Sequence, residues 1–220
     1  MKHTAKIILA LDVDNLKEAK SFVSKLSSKI KIFKVGSHLF TAYGPKIIEF
    51  INSRKAEVFL DLKFLDIPNT VSNAVRSAVR LKVKMMTLHI SGGEEMLKRA
   101  VEAAFQESRK LKIKKPLLIG VTVLTSQKAS PQQVLKLAKL GIDCGLDGVV
   151  CSVHEAAFLR KNIGKRFIIV TPGIRPKAAG KDDQKRVATS SQAIKAGSNY
   201  LVVGRPILEA RDPLAAVDSL

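Results

Sequence analysis

The chain has no tryptophan, two tyrosines and two cysteines among its 220 residues, and each scarcity removes a class of function. Single-stranded nucleic acids are gripped by stacking bases on aromatic rings, and Tyr43 and Tyr200, even with nine phenylalanines, supply a thin platform for that. Cys144 and Cys151 are not spaced as C-x-x-C, and no second Cys or His pair completes a zinc site. Two reduced, buried thiols are expected instead. No apolar run approaches the roughly 20 residues that a membrane span needs. The apolar stretch from Ile7 is stopped by Asp12, too soon for a secretory h-region, so the expected location is cytoplasmic. Acids are scarce too: 19 Asp and Glu stand against 38 Lys and Arg, a net charge of +19. That charge favours polyanions and steers anionic small molecules. The bases are scattered along the whole chain, which reads as a solvated basic surface, and no specific nucleic-acid partner is expected.

What the chain does have is a repeated alternation. Short apolar, β-branched runs recur at Ile7–Leu11, Ile32–Val35, Glu57–Leu62, Met85–Ile90, Leu117–Leu124, Gly148–Cys151, Phe167–Thr171 and Tyr200–Val203. Segments of helical period lie between them. Asn15–Leu26 puts Leu16, Ala19, Phe22, Val23 and Leu26 on one face; Thr70–Leu81 does the same with Val71, Ala74, Val75, Ala78 and Leu81; Glu94–Phe105 is a third. Eight strands, each followed by a helix, predict a single (β/α)8 TIM-barrel domain over residues 1–220. A doubly wound open sheet would carry a glycine-rich phosphate loop after its first strand, where this chain has Leu11-Asp12-Val13-Asp14.

In such a barrel the C-terminal strand ends and the loops beyond them form the active face. Polar residues gather there: Asp12 after the first strand, Lys34 in the second, Asp61 and Lys63 in the third with Asp66 beyond, and His89 in the fourth. Thr125-Ser126 end the fifth, Pro172-Gly173-Ile174-Arg175 follow the seventh, and Gly204-Arg205 follow the eighth. Asp61 and Lys63, two apart on a strand, are expected to point to one side. Lone charges there cost several kcal/mol each to desolvate, so Asp12 and Lys34 from adjacent strands are expected to pair with them. Alone, each of these residues fits a structural ion pair; together, on one face, they read as a site. Gly204-Arg205 opens what is predicted to be the last helical segment and suits an anion, although an ordinary βα turn looks similar. Arg175 would complete a clamp. His89 and His154 read as structural or site-adjacent, since no nucleophile or metal ligand is spaced to use them. The Gly-, Pro- and Lys-rich segment 172–184 is expected to be a mobile loop over the site, and Asn69 or Thr70 to cap the helix after Asp66.

At Asp61-Leu-Lys63-Phe-Leu-Asp66-Ile67-Pro68-Asn69-Thr70 the sequence closely resembles the orotidine 5′-phosphate decarboxylase family. The resemblance covers essentially the whole chain. It takes in Ala10-Leu-Asp12, Phe33-Lys34-Val35-Gly36, Val121-Thr-Val-Leu-Thr125-Ser126, Thr171-Pro172-Gly173-Ile174-Arg175-Pro176, then Gln184, and Val203-Gly204-Arg205-Pro206. The D-x-K-x-x-D pattern alone is shared with sugar-phosphate decarboxylases and formaldehyde-fixing synthases on the same fold. Those have an acidic residue and a magnesium ion where this chain has Lys34, and they lack the I-P-N-T continuation.

The resemblance implies cofactor-independent, metal-free decarboxylation of orotidine 5′-monophosphate to UMP in a homodimer with shared active sites. It implies that Asp12 and Lys34 hold the ribose hydroxyls, and that Lys34, Asp61 and Lys63 form a charge array joined by Asp66 from the other subunit. Ile67 and Thr70 would reach the neighbouring site with it. Thr125 and Ser126 would contact the pyrimidine, Pro172 would line the pocket, and Arg175, Gln184, Gly204 and Arg205 would hold the phosphate. The alternatives are a Mg²⁺-dependent decarboxylase of a β-keto sugar phosphate, and a basic nucleic-acid-binding protein without catalysis.

Overall fold

Runs of β-branched and apolar residues, buried on both faces, are the mark of a parallel sheet covered by helices. The computed structural model describes residues 5–124, 127–175 and 188–220. In it the strands β1 (Lys6–Ala10), β2 (Ile32–Gly36), β3 (Glu57–Phe64), β4 (Met85–His89), β5 (Leu117–Val121), β6 (Gly148–Val150), β7 (Ile168–Thr171) and β8 (Tyr200–Val203) pair in parallel, in sequence order. β1 also pairs with β8, and the barrel closes. The helices are α1 (Leu16–Leu26), α2 (Ser37–Tyr43), α3 (Pro45–Ser53), α4 (Pro68–Arg80), α5 (Gly93–Leu111), α6 (Pro131–Asp143), α7 (Val153–Ile163), α8 (Ser190–Lys195), α9 (Arg205–Leu208) and α10 (Pro213–Asp218). The expected barrel is the observed one.

Strand alternation sorts the core into two parts. Ile8, Ile32, Phe59, Met85, Ile119 and Val170 point inward and fill the barrel. Their neighbours Leu9, Phe33, Val58 and Met86 point outward into the layer shared with the helices. Each fully buried side chain of this size stabilises the fold by about 1.5–3 kcal/mol relative to exposure. Cys144 and Cys151 are free and buried, as expected.

Three local details differ from expectation. β5 ends at Val121 instead of running on to Leu124, and Thr125 and Ser126 lie outside the described residues. α4 begins at Pro68 with Ile67 at the N-cap and no side-chain cap, so neither Asn69 nor Thr70 caps it; proline at the first helical position has no N–H in want of an acceptor. The segment opened by Gly204-Arg205 is the single-turn α9, and α10 follows it. Most of the loop expected over the site, including Gln184, also lies outside the described residues. Its flanks meet: Ile174 bridges Ala188, and the Arg175 N–H donates to the Ala188 carbonyl at 2.9 Å.

Candidate active site

The strand periodicity that packs the barrel interior also builds the site. Two residues beyond Ile32 on the inward face is Lys34, two beyond Phe59 is Asp61, and two beyond Met85 is Thr87. A charged layer therefore rests directly on an apolar floor. Asp61 keeps 13% of its side-chain surface exposed and Lys34 12%, so both act in a medium where charge interactions are stronger than in water.

The charges alternate. Lys34 Nζ lies 3.0 Å from Asp12 Oδ1 and 3.6 Å from Asp61 Oδ2, and Lys63 Nζ lies 2.9 Å from Asp61 Oδ1. The ammonium of Lys34 thus fills the space between two carboxylates. Burial pushes the Asp61 carboxyl upward, but Lys34, Lys63 and the hydrogen bonds from Lys63 and Thr87 outweigh it, and the group is held below its ordinary value of 3.8. Gly36 leaves room for this arrangement. A Cβ there would sit 3.3 Å from Lys34 Nζ and 3.8 Å from Asp12 Oδ1.

Asp61 and Lys63 do reach the same side, but not by regular pleating. Between Leu60 and Phe64, β3 takes four steps while β4 takes the two from Met86 to Leu88, a bulge in the ladder. Lys63 sits within it at φ 50°, a left-handed conformation that costs a non-glycine residue about 1–3 kcal/mol. The fully buried Thr87 fastens the bulge. Its hydroxyl accepts from the Lys63 N–H at 2.9 Å and donates to Asp61 Oδ1 at 3.0 Å.

A cavity of about 540 Å³ opens above this layer. Asp12, Lys34, Asp61 and Lys63 line it together with Pro172, Arg175, Gly204 and Arg205. Arg175 is 9% exposed. α9 has a single turn, so its dipole is small and the positive charge there comes from the guanidinium groups of Arg175 and Arg205. Val121, Val123 and Leu124 bring the β5 end to the rim, immediately before Thr125 and Ser126.

Asp66, Ile67 and Thr70 are exposed and stand outside the cavity of their own chain. Asp66 Oδ1 accepts the N–H of Ile67 at 2.7 Å. Leu65 and Ile67 beside it are 54% and 67% exposed. His89 is close enough to Lys63 and Asp61 to feel both charges. Burial first, then Lys63, lower its pKa from 6.5, against an opposing effect of Asp61. Thr87 and the cavity-lining Glu209 were not legible as site residues. Threonine in a β-branched run reads as a strand former, and Glu209 lies beyond every motif.

Fold and cavity define a (β/α)8-barrel protein with an alternating carboxylate–ammonium array at its strand ends, in one cavity with two arginines. The chain belongs to the orotidine 5′-phosphate decarboxylase / HUMPS family, whose model matches residues 5–220. It is 46% identical over 224 residues to the orotidine 5′-phosphate decarboxylase of Trichlorobacter lovleyi, covering 97% of this chain and 92% of that protein. The Coxiella burnetii protein of the same name is 46% identical over 230 residues, covering 100% and 96%. The crystal structure of orotidine 5′-phosphate decarboxylase from Lactobacillus acidophilus matches with a TM-score of 0.86 at 37% identity, over 98% and 96% of the two chains.

Proposed function

We propose that this enzyme converts orotidine 5′-monophosphate to UMP and CO₂, completing pyrimidine nucleotide synthesis, without a cofactor. The observation that carries the reading is the Asp12–Lys34–Asp61–Lys63 array, set on an apolar floor in one cavity with Arg175 and Arg205.

Breaking the bond from C6 to the carboxylate leaves an electron pair in the ring plane, outside the conjugated system. Many decarboxylases delocalise such a pair into a cofactor. Here the ammonium of Lys63 faces the developing charge, and in a closed, low-dielectric site a fixed ammonium stabilises it far more than water would. Lys63 then gives its proton to C6, CO₂ leaves, and solvent reprotonates the amine. Asp61 keeps Lys63 charged and aimed. Asp12 and Lys34 hold the ribose hydroxyls, and Thr125 and Ser126 contact the pyrimidine. Arg175, Gln184, Gly204 and Arg205 hold the phosphate, whose remote binding energy serves the chemical step. Among the described residues, a Cβ added at Gly204 would meet Ala10 and Asp12 at 3.6 Å or more, which leaves room for a phosphate to approach this backbone.

The working unit in this reading is a cytoplasmic homodimer. Exposed Leu65 and Ile67 flank Asp66, an apolar edge around a carboxylate that suits a second copy whose cavity receives Asp66. Ile67 and Thr70 accompany it. The experiment is direct: purified protein is mixed with orotidine 5′-monophosphate and the pyrimidine absorbance is followed together with released CO₂. One CO₂ per UMP is expected. A folded protein that leaves the nucleotide untouched overturns the proposal.

A further inference from the structure

The opposite end of the barrel, where the helices hand over to the strands, carries a second concentration of charge. The turns into β3, β4 and β5 each pass through a left-handed residue: Lys55 at φ 55°, Lys82 at φ 55° and Lys112 at φ 53°. The turns into β6, β7 and β8 use Gly145, Gly164 and Gly197 for the same purpose. The left-handed conformation costs an L-residue roughly 1–2 kcal/mol, so lysine stands three times where glycine would be conformationally easier. Lysines near helix C-termini gain something from the helix dipole. That gain does not extend to Lys6 on β1 or to Lys114 beyond the α5 turn.

Of these, Lys6, Lys82 and Lys114 line a cavity of about 510 Å³, together with Lys84, Lys115 and, as its acid, Glu57. Lys84 pairs with Glu57 at 2.8 Å and Lys115 with Asp147 at 2.7 Å. Lys6, Lys82 and Lys114 are exposed and make no ion pair among the described residues. The floor contains buried Ala56 and Val83. A concave wall of low dielectric, lined by one sign of charge, focuses potential and concentrates counter-ions.

We infer that this bowl binds a linear polyphosphate chain of about three phosphates. Lys6, Lys82 and Lys114 bring ammonium groups without an ion pair among the described residues from three separate segments to one bowl, an arrangement suited to an anion whose charged oxygens are spread along a chain. Ammonium groups act as point charges with freely turning donors, suited to the many non-bridging oxygens of a phosphate chain, whereas arginine would favour a fixed bidentate fork. The volume is that of a small-molecule pocket. Tyr200 is its one aromatic lining residue, which provides no run of stacking platforms for a nucleic-acid strand. The chain can come as free inorganic triphosphate or as the tail of a nucleoside triphosphate.

Calorimetric titrations of the full-length protein at low ionic strength, with inorganic triphosphate, ATP and inorganic phosphate, test this. One-to-one binding of triphosphate is expected, at least tenfold tighter than that of phosphate. ATP binding tenfold tighter than triphosphate assigns the nucleotide as the source; equal or weaker ATP binding assigns the free chain. The pair Lys82→Gln/Lys114→Gln, and separately Lys6→Gln, should weaken triphosphate at least tenfold and threefold, with thermal unfolding unchanged. Arg205→Ala should leave its affinity as it was. Triphosphate binding lost in Arg205→Ala yet kept in both bowl variants would move the site to the active cavity and overturn the inference. So would single-stranded RNA binding without triphosphate binding, or no binding at millimolar concentration.

Discussion

The backbone N–H of Lys63 donates to the hydroxyl of Thr87 at 2.9 Å, across the strand gap and inside the bulge that bends β3. The same hydroxyl donates to Asp61 Oδ1, so one side chain on β4 holds both the strained backbone that aims the ammonium and the carboxylate that keeps it charged. Thr87→Val retains the shape and removes both bonds. A buried donor left unmade costs about 1–3 kcal/mol, so kcat should fall roughly 10- to 100-fold while KM for the nucleotide changes little. Thr87→Ser should restore most of the loss. A valine variant with wild-type kcat would show that the bulge holds its shape without Thr87.

The barrel was legible because its signal is repetitive: eight apolar runs at regular intervals, each with a helical segment behind it. The bulge was not, because Asp61-Leu62-Lys63-Phe64 reads as ordinary alternation and lysine gives no hint of a left-handed backbone. The extent of β5 was overread because Thr122-Val123-Leu124 continues the apolar run after pairing has stopped. The four charges were legible as a set since each lies at or near the end of its strand. Their distances were not, because Lys34 reaches Asp12 and Asp61 only across the curvature of a closed barrel.

Two groups in the site make stability depend on pH in the same direction. Asp61 is held below 3.8, so its contribution is complete above that value and lost as pH falls through the lower folded one. His89 is held below 6.5. The unfolded chain therefore takes up that proton first, and stability declines as pH drops from about 6.5 toward the folded value. Urea midpoints at pH 7.5 and pH 5.5 should differ less for His89→Asn than for wild type. Equal pH slopes for the two proteins would show that His89 titrates normally in the fold.

Lys34 sets its ammonium between the carboxylates of Asp12 and Asp61, so the array carries its own positive charge. Dialysis against a strong chelator should leave kcat on orotidine 5′-monophosphate unchanged. A large loss restored by Mg²⁺ would instead favour the sugar-phosphate chemistry found elsewhere on this fold.

Arg205 lines the same cavity as the charge array, where it would hold the phosphate. Arg205→Ala should lower kcat/KM on the nucleotide by about two to three powers of ten, yet scarcely alter turnover of the phosphate-free nucleoside. Equal losses on both substrates would remove Arg205 from the phosphate site.

Asp66 lies outside the cavity of its own chain, between two exposed apolar residues, and the shared-site reading places it in the cavity of a second copy. Lys63→Ala and Asp66→Ala should each remove most activity as pure homodimers. When the two variants are dissociated and reassembled together, a mixed dimer has one site lacking both groups and one site with both restored. Random pairing makes half the dimers mixed, each with one intact site of two, so about a quarter of wild-type activity should return. The same mixture without subunit exchange should stay inactive. If mass spectrometry shows that mixed dimers have formed and activity remains absent, Asp66 acts within its own chain, and the exposed Leu65–Ile67 edge requires another explanation.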